Sequence, residues 1–112
     1  MAALIIYDGP GPLPVTTTFE SPLDGPAVLV LTGTARTENA AGLTGIALVL
    51  DGDTIGNTAM CWANQNNNHI AMRPTFINVD NLAYGEHTIE IVNAYGITVT
   101  DENDYFQVTL LY

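Results

Sequence analysis

Hydrophobic and polar residues alternate along much of the chain with a period of two. His87, Ile89 and Ile91 fall on one face of an extended strand, and the polar residues between them fall on the other. Residues 106–110 alternate in the same way. No stretch shows the 3.6-residue period of an amphipathic helix. The pattern therefore predicts strands with one face in a core and one face toward solvent.

Clusters of Gly, Pro, Asn and Asp interrupt these runs about every eight to twelve residues, a spacing typical of β-sandwiches and barrels. The predicted strands cover residues 3–7, 15–20, 27–35, 45–50, 53–62, 69–78, 87–94 and 105–111, with residues 97–100 as a further short strand. About eight or nine strands suit two packed sheets. The predicted fold class is therefore all-β, a two-sheet antiparallel β-sandwich of jelly-roll or immunoglobulin-like type.

The segments between the strands favour particular turns. Asp51 and Gly52 separate two strand-like runs, and this pair is preferred where both central residues of a tight hairpin need a positive φ. Residues 9–12 and 24–26 combine Gly with Pro, which predicts loops. The first of these loops would allow the first strand to leave the domain and pair elsewhere.

One predicted strand is apolar on both faces. Residues 27–31 read Ala-Val-Leu-Val-Leu, so this strand should be covered by the opposite sheet and by a second partner. Leu111 and Tyr112 add apolar groups at the end of the sequence. Apolar surface with few charges is typical of subunit interfaces, and we therefore expect a closed homo-oligomer.

Length and composition fit one domain covering residues 1–112. A chain of 112 residues can form a core without metals or disulfides. Hydrophobic residues make up 47% of it and charged residues only 12%, so disorder is not expected and much of the surface should be neutral. No internal repeat or long linker divides the sequence.

The charge balance excludes several classes of partner. Twelve acidic residues face only Arg36 and Arg73, and the net charge is -10. Nucleic acids and anionic membranes both require a basic surface, so neither is expected as a partner. The longest apolar run is too short to span a bilayer. Residues 1–7 lack a basic segment and precede Asp8, so we expect a soluble protein without a signal peptide.

The second half of the chain resembles a known class of module. Residues 49–56 carry an Asp-Gly hairpin, and residues 82–91 carry a Gly-x-His-Thr turn that leads into a long strand. This pattern resembles bacterial immunoglobulin-like and jelly-roll β-sandwich modules. The resemblance implies a sandwich used for adhesion, sugar recognition or particle assembly, and it transfers no active site.

The residues that catalysis requires are scarce, and we predict that the chain is not an enzyme. Ser21 is the only serine and lies in a Ser-Pro turn without the elbow of a serine hydrolase. Cys61 lies between Met60 and Trp62, which favours a buried apolar role. His87 shares a strand face with isoleucines, which favours a hydrogen-bonded structural histidine over a general base.

The most unusual segment is residues 62–69. It begins with Trp62 and Ala63 and continues with six consecutive amide or imidazole side chains. Amides both donate and accept hydrogen bonds and so match neutral sugar hydroxyls, while an indole face can stack on a pyranose ring. The alternative is a polar hairpin loop whose asparagines adopt left-handed backbone angles. The candidate ligand-binding residues are Trp62, Asn64, Gln65, Asn66, Asn67, Asn68 and His69.

A second polar segment, residues 101–104, is a candidate calcium site. It resembles the acidic Asp/Asn loops of calcium-dependent bacterial lectins over five residues, 101–105. The candidate ligands are Asp101, Glu102, Asn103 and Asp104, whose oxygens are of the kind that calcium prefers. The alternative is a solvated turn.

Taken together, these patterns favour a non-catalytic recognition module that is carbohydrate-binding, lectin-like and oligomeric. The competing hypothesis is a structural assembly subunit of a phage-like or extracellular particle, with no small-molecule ligand. Hydrolysis by paired carboxylates is a third class, but no spacing in the sequence brings two acids to one cleft.

Overall fold

A computed structural model describes residues 1–38, 40–65 and 67–112. These residues form ten strands connected by turns. The strands are β1 (Ala3–Pro10), β2 (Val15–Ser21), β3 (Gly25–Thr37), β4 (Gly42–Leu50), β5 (Asp53–Ala63), β6 (Ile70–Ala71), β7 (Thr75–Leu82), β8 (Gly85–Ala94), β9 (Thr98–Val99) and β10 (Tyr105–Leu111). No helix among the described residues is long and apolar enough to cross a membrane.

The strands form two antiparallel sheets. The first sheet has the order β1-β10-β3, with β7, β6 and β9 also pairing with the long strand β3. The second sheet has the order β2-β8-β4-β5, so β5 is an edge strand. The predicted fold class, a two-sheet antiparallel sandwich, is confirmed. There are ten strands because the short strands β6 and β9 form separately.

The core lies between the sheets and follows the predicted alternation. Phe106, Val108 and Leu110 of β10 are fully buried, and so are Ile89 and Ile91 of β8. Branched and aromatic side chains stand on alternate positions of a pleated strand, so one face of each strand enters the core. Burying such side chains stabilises the fold by roughly 1.5–3 kcal/mol each.

The predicted Asp-Gly hairpin is confirmed. Asp51 has φ of 50° and Gly52 has φ of 89°, while Leu50 pairs with Asp53 across the turn. A two-residue loop with both φ values positive matches the twist of the flanking strands. This turn fixes the register of β4 and β5 as far as the pair Leu48 and Ile55, and an irregularity between Ile46 and Leu48 then shifts the pairing of the residues farther along β5.

The prediction of one strand over residues 69–78 is wrong. The structure divides this segment into β6 and β7, with Arg73 and Pro74 between them. Proline has no N–H group to donate to a neighbouring strand, so pairing stops there. The interruption leaves Arg73 in a loop at the edge of the sandwich.

The first sheet has an outer face that is partly apolar. Val28 and Val30 of β3 are half-buried on this face, while Leu29 and Leu31 point into the core. Exposed Ile5 and Phe76 lie in the same row of the sheet as Val30, one on each side. We call Ile5, Val28, Val30 and Phe76 the outer apolar face.

The two ends of the described chain lie side by side. The Ala2 N–H donates to the Tyr112 carbonyl at 2.6 Å, and the Tyr112 N–H donates to the Ala2 carbonyl at 3.0 Å. Between these ends, β1 pairs with β10 of the same chain over residues 3–10. In this structure the first strand therefore pairs within the chain.

Candidate functional site

Trp62 lies on the outer surface of the edge strand β5. Ala59 and Ala63 on this strand are fully buried, so the alternation places Met60 and Trp62 on the opposite face. The side chain of Trp62 is 65% exposed. An exposed indole contributes little to the core, and its flat face is available for contact with a ligand.

The predicted ligand-binding residues surround one cleft of about 720 Å³, which we call the tryptophan cleft. Its described lining consists of Trp62, Asn64, Gln65, Asn67, Asn68, His69 and Ile70. Asn66, also predicted to bind ligand, lies outside the described residues. The volume is in the range of small-molecule sites in proteins.

Backbone and side-chain contacts hold the rim of this cleft to β3. The Asn67 N–H donates to the Thr37 carbonyl at 2.7 Å, and Arg36 Nη1 donates to Asn67 Oδ1 at 3.2 Å. Asn67 has φ of 64°, a left-handed conformation that asparagine tolerates better than most residues. Asn67 therefore adopts the left-handed backbone angle that the sequence analysis gives as the alternative role of the asparagines. Asn68 also donates to Gln65 Oε1 at 2.9 Å.

A buried carboxylate anchors the other side of the rim. Asp104 is fully buried, and its Oδ1 lies 2.7 Å from His69 Nδ1 and accepts from the Thr34 hydroxyl at 2.8 Å. Its Oδ2 accepts from the Asp101 N–H at 2.8 Å. A buried carboxylate is costly unless its oxygens are hydrogen-bonded, and these contacts satisfy both. They tie the start of β10 to His69 at the end of the Asn-rich segment.

Asp101 carries the second carboxylate beside His69. Its Oδ2 lies 3.4 Å from Arg36 Nε and 3.7 Å from His69 Nε2. The pKa of Asp101 lies below its usual range, chiefly because the Asn103 N–H donates to Oδ1 at 2.8 Å. Partial desolvation opposes this shift, while Arg36 and His69 add to it. Asp101 therefore stays ionised and pairs with Arg36.

Two of the four predicted calcium ligands, Asp101 and Asp104, lie in a group of side chains that could hold a metal ion. Asp101 and Asp104 meet His69, with one ligand atom from each within 4.8 Å of the others. Glu102 and Asn103 are exposed and lie outside this cluster, because the turn directs their side chains to solvent. Calcium prefers six to eight oxygen ligands. An imidazole nitrogen and a neighbouring guanidinium fit that preference poorly, so we derive no calcium chemistry from this cluster.

A second cleft, which the sequence analysis missed, lies on the other side of Met60. We call it the arginine cleft; it has a volume of about 590 Å³. Its described lining is Gly56, Asn57, Thr58, Met60, Arg73, Pro74, Thr75, Phe76 and Tyr95. Tyr95 is 42% exposed with φ of 65°, and Phe76 is 65% exposed. Non-glycine residues with positive φ are uncommon, and they concentrate at functional positions.

His87 lies at the opposite end of the second sheet, and both of its ring nitrogens are hydrogen-bonded. Its Nδ1 is 2.6 Å from Asp51 Oδ2 and its Nε2 is 2.6 Å from the Ala83 carbonyl. A carbonyl oxygen only accepts, so Nε2 donates. The ring also stacks on Phe19, with a centroid distance of 5.5 Å. The pKa of His87 lies above its usual value, mainly because Asp51 accepts a hydrogen bond from it.

Neither protein-family models nor curated proteins show a match to this sequence. Twenty-four solved chains match in structure. One is the tripod (BppUct-A-L) from the baseplate of bacteriophage Tuc2009, with a TM-score of 0.62 and 22% identity. The match covers 97% of this chain and 62% of that chain, so the sequence spans less than two thirds of that protein.

Two further similar structures are sugar-related modules. The CBM36-1 domain of a multidomain xylanase from the hindgut metagenome of Trinervitermes trinervoides has a TM-score of 0.53 and 17% identity, covering 97% of this chain and 96% of that domain. The EclA C-terminal domain, a sugar-binding protein, has a TM-score of 0.51 and 14% identity, covering 97% and 76%. At these identities the likeness establishes the fold. The predicted resemblance to β-sandwich modules is therefore confirmed.

Proposed function

We propose that this chain is a carbohydrate-binding module whose ligand lies in the tryptophan cleft. The observation that carries the proposal is the exposed indole of Trp62 beside a row of amide side chains. The CBM36-1 domain of a xylanase and a sugar-binding domain share the fold of this chain, which supports a sugar as the ligand. Recognition in this site is non-catalytic.

The side chains of the tryptophan cleft have different roles because a sugar has both apolar C–H faces and polar hydroxyl groups. The C–H face of a pyranose ring packs against the flat face of Trp62, and this contact removes exposed apolar surface from water. Asn64, Gln65 and Asn68 are exposed on the cleft lining and supply both donors and acceptors for hydroxyl groups. Arg36 and Asp104 act as positioning residues, since they hold Asn67 and His69 in place without entering the cleft.

Pre-positioning matters because sugars bind through many weak contacts. Ordering a loop on binding costs about 0.5–1.5 kcal/mol for each immobilised side chain. Here the rim is already attached to β3 and β10 through Thr37, Arg36 and Asp104. The described part of the Asn-rich segment therefore needs less ordering when a ligand binds.

Intrinsic fluorescence offers a direct test, because Trp62 is the only tryptophan in the sequence. A glycan array and affinity electrophoresis with soluble polysaccharides identify the ligand, and its titration should shift the emission of Trp62 to the blue. Trp62→Ala should abolish binding. Tyr84→Ala is the matched control, since Tyr84 is 74% exposed but lies at the far end of the second sheet. Retention of full binding by Trp62→Ala would contradict the proposal.

A second candidate function, assembly, is supported by the outer apolar face. Val28 and Val30 are half-buried there, with exposed Ile5 and Phe76 in the same row as Val30. The centre of this face bears no charge, as in the centres of subunit interfaces. We propose that a second copy of the chain covers the part of this face around Ile5, Val28 and Val30 and forms a homo-oligomer, while Phe76 at its border stays open to the arginine cleft. A particle subunit without a ligand would use the same face, and a phage baseplate protein shares the fold.

A further inference from the structure

The arginine cleft contains one of the two basic residues of the chain. Arg36 is engaged by Asp101 and Asn67, whereas Arg73 is exposed and forms no ion pair within residues 1–38, 40–65 and 67–112. The described lining of this cleft includes no carboxylate, although the chain has twelve acidic residues. The positive charge of Arg73 is therefore not neutralised by a carboxylate of the cleft lining, although the net charge of the protein is -10.

The backbone of Arg73 is held from both sides. Its N–H donates to the Met60 carbonyl at 3.5 Å, which attaches it to the edge of β5. Its carbonyl accepts from the Thr75 hydroxyl at 3.2 Å, and Pro74 between them has a fixed φ. The backbone from which the Arg73 side chain projects is therefore fixed, and the freedom lost on binding an anion is that of the side chain alone.

The walls around Arg73 suit a sugar ring. Phe76, Tyr95 and Met60 supply apolar and aromatic surface, while Asn57 and Thr58 supply polar groups. Aromatic faces pack against the C–H groups of a pyranose. An arginine guanidinium matches a carboxylate with two parallel hydrogen bonds. A sugar that carries a carboxylate satisfies both features of the cleft.

The arginine and tryptophan clefts lie next to each other along β5. Met60 lines one, Trp62 lines the other, and two strand positions separate them by about 7 Å. This spacing allows adjacent residues of one extended glycan to occupy both clefts. The net charge of -10 repels a densely charged polymer and disfavours polyuronates.

We propose that the arginine cleft binds the carboxylate of an isolated uronic acid residue in an otherwise neutral glycan. This inference rests on the proposed function, since it places the neighbouring sugar on Trp62. Arg73 is the specificity-determining residue, and Tyr95 and Phe76 hold the ring of the uronic acid.

The test uses three oligosaccharides of equal length: a neutral one, one with a single uronic acid, and the methyl ester of that uronic acid. The ester keeps the shape and removes the charge. Titrations follow the fluorescence of Trp62 and the heat of binding for wild type, Arg73→Gln, Arg73→Lys and Thr18→Glu. Thr18 is exposed on β2, at the opposite edge of the second sheet, and Thr18→Glu changes the net charge by the same amount as Arg73→Gln.

Wild type should bind the acid about tenfold more tightly than the ester, because the ester loses the charge that strengthens the hydrogen bonds from Arg73. Arg73→Gln should lose this preference for the acid over the ester, Arg73→Lys should keep part of it, and Thr18→Glu should behave as wild type. Equal binding of acid and ester by wild type overturns the inference, and so does a preference that survives in Arg73→Gln. If wild type binds the acid but not the neutral oligosaccharide, the result contradicts the proposed sugar site in the tryptophan cleft and not the role of Arg73.

Discussion

The ring of Tyr95 lies directly over Gly45 on the outer face of the second sheet. A Cβ atom at position 45 would come within 2.8 Å of Tyr95 Cε2 and 2.7 Å of Thr58 Cγ2. Only glycine leaves room for the tyrosine there. The absence of a side chain on β4 thus helps to shape a wall of the arginine cleft.

Gly45→Ala should therefore destabilise the protein by about 1–3 kcal/mol and displace Tyr95. The added methyl group also meets the Ala59 carbonyl at 2.9 Å, which cannot move aside without disturbing the pairing of β4 and β5. Urea denaturation measures the loss. Gly96→Ala is the control, since a Cβ there meets nothing within 4 Å. Equal stability of the two variants would show that the Tyr95 ring is not fixed against Gly45.

The ion pair of His87 and Asp51 predicts a pH-dependent contribution to stability. In the folded protein the pKa of His87 is raised by its hydrogen bond to Asp51. The contribution of His87 to stability is therefore complete below the pKa of an unfolded histidine, about 6.5, and is lost as pH rises through the folded pKa. Partial burial acts to raise the pKa of Asp51, but hydrogen bonds from His87 and the Thr88 N–H lower it overall. Its contribution is present above the unfolded value of 3.8 and is lost as pH falls through the folded pKa.

Asp51→Asn should accordingly destabilise the protein most between about pH 4 and 6.5, by less than about 1 kcal/mol because Asp51 is half exposed. The difference should shrink on both sides of this window. Thermal melts across pH measure it, with Asp53→Asn in the same hairpin as the control. A difference that does not vary with pH would rule out a charged pair.

Asp104 should be the most sensitive acidic residue of the loop region. Asp104→Asn places an amide where the carboxylate accepts from Thr34, His69 and the Asp101 N–H, so at least one donor loses its acceptor. Leaving a buried donor unpaired costs about 1–3 kcal/mol. Chemical denaturation should show this loss. Glu102→Gln, two residues away and exposed, should leave the stability unchanged.

Calcium and chelators should leave the melting temperature unchanged. The carboxylates of Asp101 and Asp104 already pair with Arg36, His69, Thr34 and backbone N–H groups, and the cluster includes a nitrogen ligand. A cation that bound only the folded state would raise the melting temperature in proportion to its affinity. Differential scanning fluorimetry in calcium and in excess chelator checks this. A rise of several degrees with calcium would restore residues 101–104 as a metal site.

Val30→Glu should dissociate the proposed oligomer, because a charge is costly at the centre of an apolar interface. The net charge of -10 makes subunits repel each other, so association should be stronger at moderate salt than at low salt. Light scattering coupled to size-exclusion chromatography measures the mass. Thr18→Glu adds the same charge to the outer face of the other sheet and should keep the wild-type mass. A wild-type mass of 12.0 kDa at both salt concentrations would contradict assembly.

Features set by local chemistry could be predicted from the sequence. The Asp51-Gly52 hairpin and the strand over residues 105–111 both follow from neighbouring residues, through backbone preference and alternation. The break at Pro74 also had a local signal, since proline ends the pairing of a strand. The β-branched and aromatic residues on either side of Pro74 favour a strand, and they hide this break in the sequence.

The candidate site could be predicted only in part. Trp62 and the amides that follow it are adjacent in sequence, so their shared chemistry is visible in the composition. The contact of His69 with Asp104 joins residues 35 positions apart, and that of Arg36 with Asp101 joins residues 65 apart. Such pairs depend on sheet order and register, which periodicity does not determine. The sequence signal for the arginine cleft is Arg73, which is one of only two arginine or lysine residues and is followed by a proline.

The adjacent chain ends determine how the domain can be attached to a carrier protein. Strand β10 leads from Asp104, at the rim of the tryptophan cleft, to Leu111 beside Ala3, so the ends lie about 20 Å from the rim. Tethers attached to both ends would emerge from one point and leave the tryptophan cleft open. The sandwich could thus be inserted in a loop of a carrier or repeated in tandem, and each added copy would raise the effective concentration of sites along a polysaccharide.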